Sequence, residues 1–192
     1  MSDRKRVSEL DFDQRSRSGI FGPRKRARRL TSTISGDVLE DGVERVVANE
    51  RQLIHQLCSH QALSMFQPRE FNDFIDNCEI VRCGGGTVMA QVGAHASSVF
   101  FVLEGLVRLQ ARTSTGIFHD LRECGNHSVF GIDAVFDQGT YAYRARAVRN
   151  TAAIRFQADG LRRIIQSNSP LGARMLYVLC NALNEQLWDA TE

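Results

Sequence analysis

From Cys78 to Phe156 the chain falls into short runs at 79–82, 87–91, 99–103, 106–111, 117–122, 129–130, 141–148 and 152–156, separated by Gly, Asn, Asp and Ser. Runs of this length, rich in β-branched and aromatic residues and cut by turn formers, predict strands. Eight of them at this spacing predict a sandwich, jelly roll or barrel. On the N-terminal side, Val43, Val46, Val47, Leu53, Ile54 and Leu57 fall near a 3.6-residue period and predict helix. Pro68 suits the first turn of a further helix, with Phe71, Phe74 and Ile75 on one face. After the strands, Leu161, Ile164 and Ile165 form an apolar patch, and Asn168-Ser169-Pro170 is a stop and restart. Leu176, Leu179, Leu183 and Leu187 then repeat at helical spacing, with Trp188 close behind.

The expected fold class is α+β: an eight-stranded antiparallel β jelly roll or barrel flanked by N-terminal helices and two C-terminal helices. The expected boundaries are a basic arm over 1–36, a helical lead-in over 37–76, the barrel over 77–157 and the C-terminal helices over 158–192. The leucines of the last helix have two readings, packing on the chain's own barrel or a dimer seam, and both stay open.

Charge changes the picture of the arm. Residues 1–36 carry ten Lys and Arg against four Asp and Glu, a net +6, and the remainder is net −4. With few large apolar residues and no sustained period, the arm buries too little surface to offset the entropy of ordering, so it is expected to be disordered when free. Its densest part holds Arg24, Lys25, Arg26, Arg28, Arg29 and Thr31. Arg28-Arg29-Leu30-Thr31 places paired arginines before a hydroxyl, a pattern that suits the acidic pockets of basophilic protein kinases. The same basic run, residues 24–29, equally suits nucleic-acid phosphates or nuclear import, or is a solvated tail with no dedicated partner.

Candidate chemistry is sparse. Cys58, Cys78, Cys83, Cys124 and Cys180 are odd in number and scattered with no C-x-x-C, so neither a disulfide framework nor a tetrahedral zinc site is expected. His55 and His60 lack a third ligand at useful spacing, and His95 with Glu104 does not complete a cupin metal triad. Gly84-Gly85-Gly86 has no following Gly-Lys-Ser/Thr, so it is not a phosphate loop. No metal and no enzymatic activity are expected. No apolar run approaches the roughly 20 residues of a membrane span, and with no apolar h-region after the polar N-terminus no secretory leader is expected. The reading is cytoplasmic, with nuclear and organellar locations left open.

The arrangement resembles the cyclic-nucleotide-binding domain found in catabolite-activator-type regulators and protein kinase A regulatory subunits. Gly86, Gly93 and Gly105 stand seven and twelve residues apart, as in that family, and Val99-Phe100-Phe101-Val102-Leu103-Glu104 fills the strand before the last of them. Phe130-Gly131 is similar to the family's Phe-Gly, which opens a short helix, and residues 159–170 are similar to its penultimate helix and break. The likeness covers about residues 60–189. It implies a ligand pocket formed by Phe130, Gly131, Ile132, Asp133, Ala134, Tyr141, Ala142, Tyr143 and Arg144.

Departures from the family pattern make this cassette degenerate. Where the family has a Glu for the ribose hydroxyl, this chain has Ile132, and where it has an Arg for the cyclic phosphate, this chain has Tyr141. Losing both removes a charge-assisted bond to the phosphate and an acceptor for the hydroxyl. Three outcomes follow: an empty pocket, a different uncharged or aromatic ligand against Tyr141 and Tyr143, or Arg144 supplying the charge. Strand alternation places Arg144 and Arg146 opposite the tyrosines, which disfavours the last.

The expected function is a non-catalytic regulatory or scaffolding protein that does not bind cAMP in the usual way and acts through protein contacts, as a self-dimer or in a larger assembly. The alternatives are a catabolite-activator-like transcription regulator or a protein-kinase-A-regulatory-like inhibitor responding to a cyclic nucleotide or other small ligand. No cofactor is expected, and cAMP or another small nucleotide is the ligand class to test.

Overall fold

The structure is a computed structural model that describes residues 42–136, 139–167 and 169–189. Its first element is a strand, β1 (Val43–Val46), paired antiparallel with β2 (Cys78–Cys83) in the register Val43↔Cys83 to Val46↔Ile80. This corrects the helical reading at residues 43–46. Val43 and Val46 are β-branched and stiff at χ1, and a neighbouring strand edge gives them a pleated surface to pack on. Val47 is 97% exposed, outside any apolar helix face.

Helix α1 (Glu50–Ser59) starts at Asn49, whose side chain accepts the Gln52 N–H at 2.9 Å while the Gln52 side chain accepts the Asn49 N–H at 3.0 Å. This reciprocal cap satisfies orphan amides of the first turn. Short 3₁₀ segments follow at Gln61–Leu63, Pro68–Asp73 and Ile75–Asn77. Pro68 opens the second of them as expected, and Phe71, Phe74 and Ile75 are buried, but the turns are 3₁₀ and not α.

The remaining strands are β3 (Val88–Ala90), β4 (Ser98–Glu104), β5 (Val107–Arg112), β6 (Phe118–Cys124), β7 (Val129–Phe130), β8 (Arg144–Ala147) and β9 (Thr151–Gln157). All eight expected runs are strands, and with β1 they pair into two antiparallel sheets, ordered β1-β2-β9-β4-β7 and β3-β8-β5-β6. The outcome is the jelly-roll form of the expectation, two sheets and not one closed barrel.

The first sheet is buried on both faces along β2, β4 and β9. Its outer face carries Phe101 and Phe156, whose rings meet at 5.1 Å, and Phe74 packs edge-on to Phe156 at 6.1 Å. The 3₁₀ segments are thereby fixed to the sheet, each fully buried Phe contributing about 2–3 kcal/mol. Its other face carries Phe100 and an ion pair, Glu79 on β2 opposite Arg155 on β9, with Arg155 Nε 2.7 Å from Glu79 Oε1. Both side chains are buried, and Arg45 reaches Glu79 from β1. Sequence reasoning did not anticipate this triad.

Helices α2 (Asp133–Phe136), α3 (Ala158–Gln166) and α4 (Pro170–Asp189) complete the described chain. On α4, Met175, Val178, Leu179 and Ala182 enter the core. Among the described residues no helix is long and apolar enough to cross a membrane.

Candidate functional site: the segment from Gly131 to Arg144

Strands β4 and β7 set the position of the cassette. Phe100 and Phe130 are register partners, their rings stacked at 4.8 Å with 13° between planes. Gly131 follows at φ +81°, and a Cβ there would lie 2.5 Å from the Ser98 carbonyl oxygen. Only glycine tolerates both the left-handed backbone and that approach. The turn delivers the chain into α2, with Asp133 at its first position.

The opposite wall is the stretch leading into β8. The Tyr141 N–H donates to the Ala94 carbonyl at 2.9 Å, and the Tyr141 carbonyl accepts the Gly93 N–H at 2.9 Å. With its backbone fixed in this way, Tyr141 turns inward. Its buried hydroxyl donates to the Ser98 carbonyl at 2.9 Å and accepts the Ser98 N–H at 3.1 Å. Tyr143 lies beside it, with ring centroids 6.5 Å apart. The Tyr143 hydroxyl accepts the Gly131 N–H at 2.6 Å and contacts Asp133 Oδ1 at 3.4 Å as donor.

The electrostatics follow from this burial. Desolvation pushes the Asp133 carboxyl up, against opposing hydrogen bonds from the Ala142 backbone, its own amide, the Tyr143 hydroxyl and the Ala134 backbone. Desolvation, reinforced by the Asp133 charge, pushes the Tyr143 phenol well up, so it stays a neutral donor and acceptor. Ile132 and Ala134 are buried in the core. The turn amide of Gly131 is bonded to a side chain of the same chain, and no Lys or Arg occurs between residues 130 and 143.

Arg144 takes the other side of the strand. Its guanidinium donates to Gln110 Oε1 through Nε at 3.0 Å and Nη2 at 2.6 Å, and its Cζ lies 3.5 Å from the centre of the Phe118 ring. Ala145 is buried on the inner side, so alternation across β8 holds, and Arg144 does not supply charge to the cassette here. Ala142 is exposed. Gly131, Asp133, Tyr141 and Tyr143 are thus linked, Ile132 and Ala134 are packed beneath them, and Arg144 is turned away. Sequence reasoning missed Ser98, which has no local signal because its role depends on a residue 43 positions away.

The family model for the cyclic nucleotide-binding domain matches residues 80–168, the span that holds the glycine turns and the cassette. Residues 80–168 belong to the cyclic nucleotide-binding domain family.

Solved structures agree on the fold. The domain is similar to a cyclic nucleotide-binding domain from Methylobacillus flagellatus, with 12% identity over 78% of this chain and 85% of that one at a TM-score of 0.66. It is similar to the sensor domain of the transcriptional regulator DNR from Pseudomonas aeruginosa, with 22% identity, 71% and 92% coverage and a TM-score of 0.58. It is also similar to the regulatory subunit of a cAMP-independent protein kinase A from Trypanosoma brucei, with 17% identity over 64% of this chain and 48% of that one at a TM-score of 0.52. No curated protein sequence matches the chain.

The other candidate residues lie outside the cassette of the cyclic nucleotide-binding domain. Arg24, Lys25, Arg26, Arg28, Arg29 and Thr31 fall outside the described residues. The four leucines of α4 do not form one exposed stripe. Leu179 is 0% exposed in the domain's own core, Leu183 is half-buried against it, and the Leu187 side chain is outside the description. Leu176 is 36% exposed and neighbours Tyr177 at 57%, so among the described leucines of that spacing Leu176 is the exposed one. Among the described residues no group of three or more His, Cys, Asp or Glu could hold a metal ion.

Proposed function

We propose that this domain is a non-catalytic regulatory or scaffolding module whose cassette is closed by its own tyrosines and which acts through protein contacts. The observation that carries the reading is the 2.6 Å bond from the Gly131 N–H to the Tyr143 hydroxyl. A cyclic phosphate needs free hydrogen-bond donors and a cation beside it. Here the amide is bonded internally, Tyr141 is held on Ser98, and Arg144 faces away. Calorimetric titration with cAMP and cGMP tests it. We expect no heat of binding, and micromolar affinity for either nucleotide overturns the closed cassette.

The partner surface in this reading is the basic arm, with net charge +6 over residues 1–36. A second reading is favoured by Arg28-Arg29-Leu30-Thr31: the arm occupies the acidic substrate cleft of a basophilic kinase. A pull-down with the intact chain and with residues 1–36 deleted separates arm from domain. Capture that survives the deletion places the partner on the domain, and capture of a kinase only by the intact chain supports the second reading.

A further inference from the structure

Away from the cassette, α4, the first 3₁₀ segment and the loop between β6 and β7 line a cleft of about 440 Å³. That volume lies within the range of small-molecule sites. Tyr177 contributes an aromatic wall, Gln61 and Asn181 contribute amides, and Glu185 is the one carboxylate among the lining residues, which include no Lys or Arg. A phosphate or carboxylate would find no counter-charge there.

His127, which lines this cleft, singles it out. Among the described residues His127 is the one non-glycine with positive φ, at +67°. Backbone strain of this kind persists where surrounding contacts over-determine it, and it clusters at functional sites. Here the His127 N–H donates to the Val102 carbonyl at 2.8 Å, and Nδ1 accepts the Gln61 N–H at 3.2 Å. With Nδ1 an acceptor, the neutral ring carries its proton on Nε2 and is a donor there. Behind it lies His60, 0% exposed, its ring edge-on to His127 at 5.3 Å.

We propose that this cleft is a second ligand site, separate from the cassette, for a neutral planar nitrogen heterocycle of nucleobase or nucleoside size. The ring stacks on Tyr177, a ring acceptor meets the His127 Nε2–H, and an exocyclic amino group meets Glu185 or the Asn181 amide. The inference stands independently of the closed cassette.

The test is titration of the full chain with adenosine, guanosine, cytidine and uridine, repeated with His127→Gly and Tyr177→Ala. Glycine relieves the positive φ and so offsets the loss of the Gln61 bond, and Tyr177 is exposed enough to truncate, so both variants are expected to fold. We expect binding of at least one nucleoside, weakened by about tenfold or more in each variant, equivalent to roughly 1.4 kcal/mol. Absence of binding by all of these nucleosides at millimolar concentration overturns the proposal. So does binding that survives both substitutions and falls instead with Ile132→Ala in the cassette.

Discussion

The hydroxyl of Tyr141 holds both backbone groups of Ser98, donating to the carbonyl at 2.9 Å and accepting from the N–H at 3.1 Å. It fastens the strand entering β8 to the start of β4, beside the glycine turn of the cassette. Tyr141→Phe keeps the ring and removes both bonds. We expect a loss of about 1–3 kcal/mol, because buried backbone groups lose partners. Urea unfolding would show it as a lower midpoint with an unchanged slope. An unchanged midpoint would mean that the bonds contribute nothing net.

The extent to which this could be foreseen varied with the range of the forces involved. The strands of the sandwich were legible because turn formers and strand formers alternate locally, as at Gly105 between β4 and β5. β1 was not, since Val43, Val46 and Val47 satisfy a helical period as well as a strand, and only the distant edge of β2 decides between them. A local clue was present in Asn49 and Gln52, whose spacing is that of a capping box and starts the helix later. In the cassette, the inward turn of the tyrosines followed from alternation, whereas the bond from Tyr143 to Gly131 spans twelve residues and depends on tertiary placement. The leucine spacing on α4 identified a helix but not which face the sandwich would cover.

Protonation of His60 gives a signed pH dependence. Burial, reinforced by the charge of His127 and opposed by the Val102 backbone, lowers its pKa from 6.5 to about 4. Between these values the unfolded chain binds a proton that the folded chain refuses, so stability rises with pH across that window. As pH falls from 6.5 towards 4 we expect a loss of up to about 3 kcal/mol. Asp133 works the other way, since its raised carboxyl takes up a proton more readily when folded and recovers some stability as pH falls through the carboxylate range. Denaturant midpoints measured across the window check this. His60→Leu should flatten the slope above the carboxylate range, and an unaltered slope would assign the dependence to another group.

Glu79 and Arg155 form a buried pair with Arg45 at its edge. Glu79→Gln leaves the Arg155 guanidinium without its counter-charge, and we expect a loss of roughly 3–5 kcal/mol. Adding Arg155→Met should recover much of it, because the pair is then removed together. A double variant as unstable as the sum of the single variants would show that the groups are not coupled.

On α4, Leu176 and Tyr177 are the exposed large apolar residues among those described, while Leu179 is in the core. If the domain self-associates through this helix, Leu176→Glu separates the copies and leaves the fold intact. We expect sedimentation to show a dimer for the parent chain and a monomer for the variant. A monomer in both cases removes the α4 seam.

The bond between Tyr143 and Gly131 also bears on what such a domain can sense. A tyrosine attached to the same chain is present beside its amide at a fixed effective concentration, about millimolar or higher for short tethers. Dilution does not lower it, and a free nucleotide displaces it only where its concentration relative to its own affinity outweighs this internal contact. On the proposed reading the domain keeps the shape of a receptor while its set point no longer follows metabolite levels. Control then passes to whatever makes or breaks its contacts with other molecules.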